Sequence, residues 1–275
     1  MKISKTLYIR YLFTLLLPLS GLLQACDMIE YHPYDLDIDG ETEVNARNIQ
    51  RIETALDGKK EFSFAVISDT QRWYDETEDA VADMNEKGGI DFVVHTGDLS
   101  DFGMKLEFEK QRDILNGLSV PYVCLLGNHD CLATGKEVFN RIFGEENFSF
   151  TAGDVLFICL NTNALEFDYS DAIPDFSFLE KLLKNLSPDI RRTIVAMHAG
   201  PYSEQFNNNV ARVFQLYLRQ FPGLQFCVYG HGHSIQVNDF FDDGILYYEC
   251  TCAKKRAYLR FTLKENEYLY EVVNY

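Results

Sequence analysis

The chain has 275 residues, 47% of them hydrophobic, and a net charge of −17, which is enough length and apolar content for one large α/β domain. Three of the 25 basic residues and none of the 42 acidic residues lie in residues 1–25, so residues 26–275 carry a net charge of −20. Such an acidic surface argues against bulk binding to duplex nucleic acid or to an anionic membrane, although bound metal ions can still bring a phosphate to an acidic site.

The first 25 residues have the pattern of a secretion signal. Three basic residues precede an apolar run over residues 11–23, which is too short for a comfortable membrane span. The run ends in Leu23-Gln24-Ala25-Cys26, which resembles a bacterial lipoprotein box. We predict a signal peptide over residues 1–25, a lipid on Cys26 that attaches the chain to a membrane, and a place in the bacterial cell envelope on a periplasmic or cell-surface face. Ordinary secretion and an uncleaved anchor are the alternatives.

Residues 26–60 have the pattern of a tether and entry segment, followed by a single domain over residues 61–275. Residues 35–40 match the first six positions of a calcium loop of the EF-hand type, but the twelfth position, which should be a bidentate Glu, is Ala46. We interpret residues 35–40 as an acidic turn rather than a calcium site.

From Glu61 onward, strand and helix patterns alternate. The predicted elements up to residue 143 are strands at 62–68, 90–96 and 120–126 and helices at 76–87, 104–118 and 136–143. This alternation is typical of βαβ units around a parallel sheet. Next come a hairpin over 148–161, helices at 176–185 and 210–220, and strands at 193–197 and 224–229. The tail predicts four further strands, expected to be antiparallel, at 235–241, 245–251, 257–263 and 268–273.

Polar residues follow five of the predicted core strands, at the points where the strands end. These segments are Asp69-Thr70-Gln71, Gly97-Asp98, Gly127-Asn128-His129-Asp130, His198 and Gly230-His231-Gly232-His233. Because ligands bind at the carboxyl ends of the strands in α/β sheets, we expect these side chains to meet at one edge. Each segment alone is compatible with a helix cap, a core histidine or a turn, but their joint occurrence at five strand ends favours a site.

The side chains at these strand ends suit a pair of divalent metal ions. Mixed carboxylate, carboxamide and imidazole ligands are typical of Mn, Fe or Zn, whereas all-oxygen sites favour Mg or Ca. Two such ions, about 3.5–4 Å apart, can share one carboxylate and a bridging hydroxide. Gly232 lets the backbone bend so that the imidazoles on either side of it can converge.

These blocks, in this order, resemble the calcineurin-like metallophosphoesterases. The family pattern is Asp-x-His, Gly-Asp-x-x-Asp, Gly-Asn-His-Asp/Glu, a separate His and Gly-His-x-His, and the resemblance covers about residues 62–252. It implies a four-layer αββα sandwich of two mixed β-sheets flanked by helices. It also implies hydrolysis of a phosphomonoester or phosphodiester by a hydroxide that bridges two divalent metal ions.

The resemblance assigns a role to each matching position. Asp69, Gln71, Asp98 and His233 would hold one ion, and Asp98, Asn128, His198 and His231 the other, with Asp98 bridging. His129 would be the general acid or a transition-state contact near the leaving group. Asp130 would orient His129, and Asp101 would lie behind the ligands.

The first block departs from the family pattern, because Gln71 stands where the family has His. Its neutral carbonyl oxygen is a weaker donor than imidazole, so the first metal site is expected to bind less tightly, to favour a harder ion or to be partly filled. Arg72 is interpreted as a solvated surface residue, with a phosphate contact as the alternative. His95, inside a strand, is expected to pack in the core.

The expected substrate is a small phosphorylated molecule of unspecified identity. A binding or structural lipoprotein that kept the fold but lost the chemistry is the main alternative, and Gln71 is its only support. A nuclease is a third possibility, but the charge of −20 on residues 26–275 argues against long nucleic acids as partners. The oligomeric state is left open by the sequence.

Overall fold

The structure is a computed structural model and describes residues 35–168 and 170–275. Leu36–Tyr275 form one compact unit. The predicted signal peptide and Cys26 lie outside the described residues. Within the described part of the chain, no helix is long and apolar enough to cross a membrane.

Eleven named strands and six α-helices make up the described fold. The strands are β1 (Phe62–Ile67), β2 (Phe92–His95), β3 (Tyr122–Cys124), β4 (Phe148–Ala152), β5 (Val155–Leu160), β6 (Arg192–Met197), β7 (Leu224–Tyr229), β8 (Gln236–Asn238), β9 (Leu246–Glu249), β10 (Ala257–Leu263) and β11 (Tyr268–Asn274). The helices are α1 (Val44–Leu56), α2 (Tyr74–Lys87), α3 (Lys105–Leu115), α4 (Gly135–Ile142), α5 (Phe176–Lys184) and α6 (Ala211–Leu218).

The strands form two mixed sheets. The first has the order β11-β10-β1-β2-β3, in which β1, β2 and β3 are parallel and β10 is antiparallel to both of its neighbours. The second has the order β4-β5-β6-β7-β9-β8, with a parallel centre from β5 to β9 and antiparallel edge strands. All the parallel strands therefore direct their carboxyl ends toward loops that can carry a site.

Successive side chains along a strand belong alternately to the core between the sheets and to the core beneath the helices. In β1, Phe62, Phe64 and Val66 belong to the core between the two sheets, whereas Ala65 and Ile67 belong to the core beneath the helices. This two-residue period is what a strand buried on both faces requires. Helices α2, α3 and α4 cover the outer face of the first sheet, and α5 and α6 cover that of the second.

The core between the sheets is rich in aromatic rings. The ring of Phe64 lies 5.3 Å from that of Phe92 within its own sheet and 5.2 Å from that of Phe157 in the facing sheet. Offset-stacked and edge-to-face pairs at such distances add to the stability gained from burial. The predicted four-layer αββα sandwich is confirmed, and its two faces are held together by this aromatic packing.

The tail departs from the predicted antiparallel arrangement. Strand β9 pairs in parallel with β7, and only its other neighbour, β8, runs antiparallel to it. Strand β10 belongs to the first sheet, where it pairs with β1. The alternating pattern of the tail indicated strands, but it carried no information about which sheet each strand joins.

The segment predicted as a tether contains helix α1, and the compact unit extends toward the N-terminus beyond the predicted boundary at residue 61. Helix α1 covers the free edge of β3, where the Asn45 amide donates to the Cys124 carbonyl and accepts from the Cys124 N–H, both at 2.8 Å. An edge strand covered in this way is protected from pairing with another chain.

The acidic turn at residues 35–40 is anchored to helix α3. Glu109 accepts a 2.7 Å hydrogen bond from the Asp39 N–H, and the buried Arg112 donates to the carbonyl oxygens of Asp39 and Glu41 at 2.6 and 3.1 Å. The Arg112 guanidinium binds these backbone carbonyls and thereby holds the turn against the domain. This structural role agrees with the interpretation of residues 35–40 as an acidic turn.

We expect Asn45→Ala to lower the free energy of unfolding by about 2–4 kcal/mol, because it leaves a buried N–H and a buried carbonyl without partners. Urea unfolding followed by circular dichroism measures this loss. The matched control, Gln50→Ala on the exposed face of the same helix, should change the value by less than about 0.5 kcal/mol. Equal effects of the two substitutions would contradict the edge-covering role of Asn45.

Candidate metal centre

The carboxyl ends of parallel strands from both sheets meet at one end of the sandwich and bring the predicted site residues together. The assembled residues are Asp69 and Gln71 after β1, Asp98 after β2, Asn128, His129 and Asp130 after β3, His198 after β6, and His231 and His233 after β7. Each contacts at least one other member of this set or its loop backbone.

The backbone turns sharply at these strand ends. Asp69, Gln71, Asp98, His231 and His233 all have positive φ, between 29° and 74°. For residues with a Cβ this left-handed region costs on the order of 1 kcal/mol or more each, and it is found where the surrounding structure enforces it. Here the turns direct the side chains of both sheets into one space, as a functional site requires.

Glycines permit the loops to approach each other closely. A Cβ on Gly127 would lie 2.1 Å from the Asp98 backbone nitrogen and 2.2 Å from Asp98 Oδ1. A Cβ on Gly230 would lie 1.9 Å from the Ser68 side-chain oxygen. These two glycines are therefore required by contact between neighbouring loops.

One group of donors surrounds Asp69. Asp69, Asp98 and His233 each place a ligand atom within 4.8 Å of the other two, with 3.1 Å between Asp69 Oδ1 and His233 Nε2. Burial is the largest influence and disfavours the charged form of Asp69, but the interactions with neighbouring groups, first among them the hydrogen bond with His233, together outweigh it and lower the pKa of Asp69 to about 2. The same hydrogen bond raises the pKa of His233. A carboxylate and an imidazole thus already face each other here.

Gln71 lies at this first group but presents its amide nitrogen. Gln71 Nε2 donates to Asp98 Oδ2 at 3.1 Å, and its carbonyl backbone oxygen accepts from Gln111 at 2.7 Å. As a ligand it would have to turn its amide so that the oxygen faces the ion. Its coordination of a metal stays a prediction.

A second group of donors surrounds Asn128. Its Oδ1 lies 2.9 Å from His198 Nε2 and 3.0 Å from His231 Nδ1, and Asp98 Oδ1 lies 3.4 Å from His198 Nε2. His198 donates from Nδ1 to the Thr96 carbonyl at 2.8 Å, and burial lowers its pKa to about 4. Neutral His198 therefore turns a lone pair, not a proton, toward two oxygens.

This donor set fits two divalent cations. Lone pairs that converge at about 3 Å repel one another unless a cation lies among them. Asp98 is shared by both groups, and burial together with the charges of Asp69 and Asp130 raises its pKa well above the usual range. A bound cation reverses that effect and favours the ionised carboxylate. Carboxylates, imidazoles and one carboxamide are the ligands that Mn, Fe and Zn accept.

His129 is oriented by Asp101 rather than by Asp130, which corrects the predicted role. The His129 Nδ1 lies 2.9 Å from the Asp101 carbonyl oxygen and 3.9 Å from its carboxylate. Arg72 pairs with the same Asp101 carboxylate while 62% of its side chain stays exposed, in agreement with its interpretation as a surface residue.

Asp130 instead fixes the loop after β2. Its carboxylate accepts from the backbone N–H groups of Asp98, Leu99, Ser100 and Gly127, at 2.8–3.2 Å, and from the Ser100 hydroxyl at 2.9 Å. A buried carboxylate with five donors holds the backbone of the bridging residue in place.

The chain matches the calcineurin-like phosphoesterase family model over residues 62–234, more than half of its length. The chain belongs to the calcineurin-like phosphoesterase family. It is 28% identical over 153 residues to a 3',5'-cyclic-nucleotide phosphodiesterase of Nostoc sp. and 28% identical over 170 residues to the DNA double-strand break repair protein Mre11 of Sulfolobus acidocaldarius. These matches cover 53% and 56% of this chain and 56% and 41% of the relatives, so the chain spans about half the length of the curated relatives it matches.

Solved structures share the fold at low sequence identity. A dimetal phosphatase from Danio rerio superposes with a TM-score of 0.63 at 14% identity, covering 78% of this phosphoesterase and 96% of that chain. Purple acid phosphatase from yellow lupin superposes with a TM-score of 0.60 at 12% identity, covering 78% and 51%. Both confirm the two mixed sheets with flanking helices.

The sequence did not identify two carboxylates next to the phosphoesterase site. Glu204 Oε1 lies 3.1 Å from His231 Nε2, and Glu249 ends strand β9 beside Gly232, where a Cβ would lie 1.9 Å from its carboxylate. Burial raises the pKa of Glu249 to about 7, so its charge responds to what binds beside it. Glu249 lay inside the strand predicted at 245–251, which was expected to be antiparallel, so no sequence signal marked it as a site residue.

His95 is a core residue, as expected. It is fully buried, bonded to Thr70 Oγ1 at 2.9 Å and to the Gly97 N–H at 3.1 Å, and burial lowers its pKa to about 3. Trp73 lies at the site, with its ring 5.8 Å from that of His233.

We expect Asp130→Asn to lower the free energy of unfolding of the metal-free protein by about 2–4 kcal/mol, since the amide keeps one acceptor and turns an N–H₂ toward backbone donors. Guanidinium unfolding measures the change. Asp171→Asn, an exposed Asp in the loop before α5, is the matched control and should have almost no effect. If both variants unfold at the same midpoint, Asp130 does not fix the loop.

Proposed function

We propose that this protein hydrolyses a phosphomonoester or phosphodiester at a dinuclear metal site. The observation that carries the proposal is the position of Asp98, which belongs to both donor groups: Asp98 Oδ1 lies 3.4 Å from His198 Nε2, and Asp98 also lies in the cluster with Asp69 and His233. A carboxylate shared between two sets of metal-type donors is what a two-metal hydrolase needs.

When bound, two divalent ions would neutralise the phosphoryl group and lower the pKa of a shared water so that it can attack phosphorus at neutral pH. The residues of the chain supply the rest. His198 is held by Thr96, and His231 by Glu204, so that in each ring the nitrogen facing Asn128 is the one left to donate a lone pair. This carboxylate or carbonyl support fixes the imidazole tautomers.

His129 is the group that we propose gives a proton to the leaving oxygen. Its Nδ1 donates to the Asp101 carbonyl and its side chain is 37% exposed, so Nε2 is the nitrogen that we propose gives the proton. General acid catalysis of this kind contributes about 10²–10⁴-fold to the rate. We propose that Arg72, which pairs with Asp101, also contacts a phosphate oxygen.

The activities of relatives are compatible with either ester type. The Nostoc relative is a 3',5'-cyclic-nucleotide phosphodiesterase, and the Danio rerio structure is a dimetal phosphatase. Mre11 acts in DNA double-strand break repair, but the charge of −20 on residues 26–275 disfavours a long nucleic acid here. A small phosphorylated molecule is the substrate class that we propose.

We expect Asp98→Ala to reduce turnover of p-nitrophenyl phosphate or bis-p-nitrophenyl phosphate by at least about a hundredfold. The reason is that the variant would lose several kcal/mol of transition-state stabilisation that the metal ions would supply. His129→Ala should cost about 10²–10⁴-fold while leaving bound metal unchanged. Rates are measured on protein loaded with Mn, Fe or Zn, with metal content determined by elemental analysis. Asp171→Asn should keep the parent rate.

Parent-like rates in both site variants would overturn the proposed function. A parent protein that binds no metal and turns over neither substrate with any of these ions would favour the alternative, a binding or structural lipoprotein without chemistry.

We expect Gln71→His to bind the more weakly held metal ion about tenfold more tightly, since imidazole replaces a neutral amide next to Asp98. Titration of metal-free protein with Mn²⁺ in a calorimeter resolves the two binding events. Gln71→Ala is the control, because it removes the amide without adding a ligand. Tightening in both variants, or in neither, would show that Gln71 has no part in the first metal site.

We also keep the proposal that Cys26 is lipidated and attaches the domain to a membrane of the bacterial cell envelope. Its support is the Leu23-Gln24-Ala25-Cys26 sequence after the apolar run.

A further inference from the structure

A cavity of about 370 Å³ opens directly beside the metal centre. His231 forms part of its wall, together with the loop after β6, the strand β8 region and the end of β9. A phosphoryl group held at the proposed metal site would therefore place one of its ester substituents at or in this cavity. The volume suits a small organic group.

One wall of the cavity is aromatic. The ring of Phe240 lies 5.7 Å from that of Tyr202 and 6.1 Å from that of Tyr229. Tyr202 is held at the rim with a positive φ of 72°, and its N–H donates to Asn208 Oδ1 at 2.7 Å. A bulky residue kept in this backbone conformation by a specific hydrogen bond indicates a preformed wall.

Two carboxylates also line the cavity. Glu204, at the rim, pairs with His231, and Glu249, which is 4% exposed, accepts from the Tyr229 hydroxyl at 3.3 Å. Asn238 in turn donates to the Tyr229 oxygen at 3.0 Å. Among the described residues that line this cavity, none is Lys or Arg. A second phosphate or a carboxylate on the substrate would have no cationic partner here.

We propose that this cavity binds a cationic substituent of the substrate, so that the phosphoester is one of an amino alcohol, of the choline or ethanolamine type. Aromatic faces attract an ammonium group through the ring quadrupole, most strongly where water is excluded. The two carboxylates add a favourable field. This inference rests on the proposed function, because it concerns the substrate of the same site.

The first test compares two diesters that differ in one charge. p-Nitrophenyl phosphorylcholine carries a quaternary ammonium, and p-nitrophenyl 3,3-dimethylbutyl phosphate is its isostere with an uncharged tert-butyl group in place of the ammonium. We expect kcat/KM to favour the choline ester by at least about tenfold, which corresponds to about 1.4 kcal/mol. Equal values for the two esters would overturn the inference while leaving the proposed hydrolysis intact.

The second test changes the cavity. In Glu249→Gln and in Phe240→Leu, the ratio of kcat/KM for the choline ester to that for the isostere should fall toward one. Glu86→Gln, an exposed position on α2, should keep the parental ratio. Using a ratio removes any general loss of activity from the comparison. A ratio unchanged in both cavity variants would show that the preference arises elsewhere.

The third test does not depend on turnover. Choline chloride alone should bind metal-free protein in a calorimetric titration, and 3,3-dimethylbutanol should bind at least about tenfold more weakly. Glu249→Gln should weaken the binding of choline. Choline binding without hydrolysis of any ester would support the cavity and reject the proposed function, whereas hydrolysis without choline binding would do the reverse.

Discussion

The hydrogen bonds accepted by the Asp130 carboxylate are the interaction on which the metal centre depends. They tie the loop after β2 to the loop after β3, with four backbone N–H groups and one hydroxyl as donors. Asp98, the residue shared by both donor groups, lies within this tied segment. Because the carboxylate is buried, these bonds hold Asp98 in a left-handed conformation that is unfavourable for a residue with a Cβ.

The second requirement is the relation between the two sheets. Ligands after β1, β2 and β3 come from the first sheet, and His198, His231 and His233 come from the second. The site therefore exists only while the sheets stay packed face to face. The aromatic core between them supplies that packing, and Phe64 contacts rings in both sheets. The packing of aromatic side chains far from the metal centre thus fixes distances of about 3 Å between its ligand atoms.

The same strand ends carry both chemistry and selectivity. His231 faces Asn128 with one ring nitrogen and Glu204 with the other, so a single residue joins the metal centre to the acidic cavity. Donor atoms in a negatively charged environment attract metal cations, and the bound cations then attract phosphate. The cavity beyond has aromatic and acidic walls, which extend that preference to the organic part of a substrate.

The sequence by itself predicted the family and the four-layer fold, and it named the residues that the structure brings together at one end of the sandwich. The sequence shows where the strands end, because the alternation of apolar residues and the presence of turn residues are local properties. The polar residues at these ends are Asp69, Asp98, Asn128, His198 and His231. The sequence did not distinguish the contacts of Asp101 from those of Asp130, because both follow similar glycine-containing blocks. Only the packing shows that Asp101 contacts His129 and that Asp130 contacts the loop after β2.

Tertiary structure also decided what the tail and the N-terminal segment do. Strand β9 runs parallel to β7 and thereby brings Glu249 to the site, while helix α1 covers the edge of β3 through Asn45. Sequence patterns give the period of an element but not its neighbour, since pairing partners are selected by contacts between residues far apart in the chain. The position of Glu249 and the shape of the cavity follow from that long-range choice.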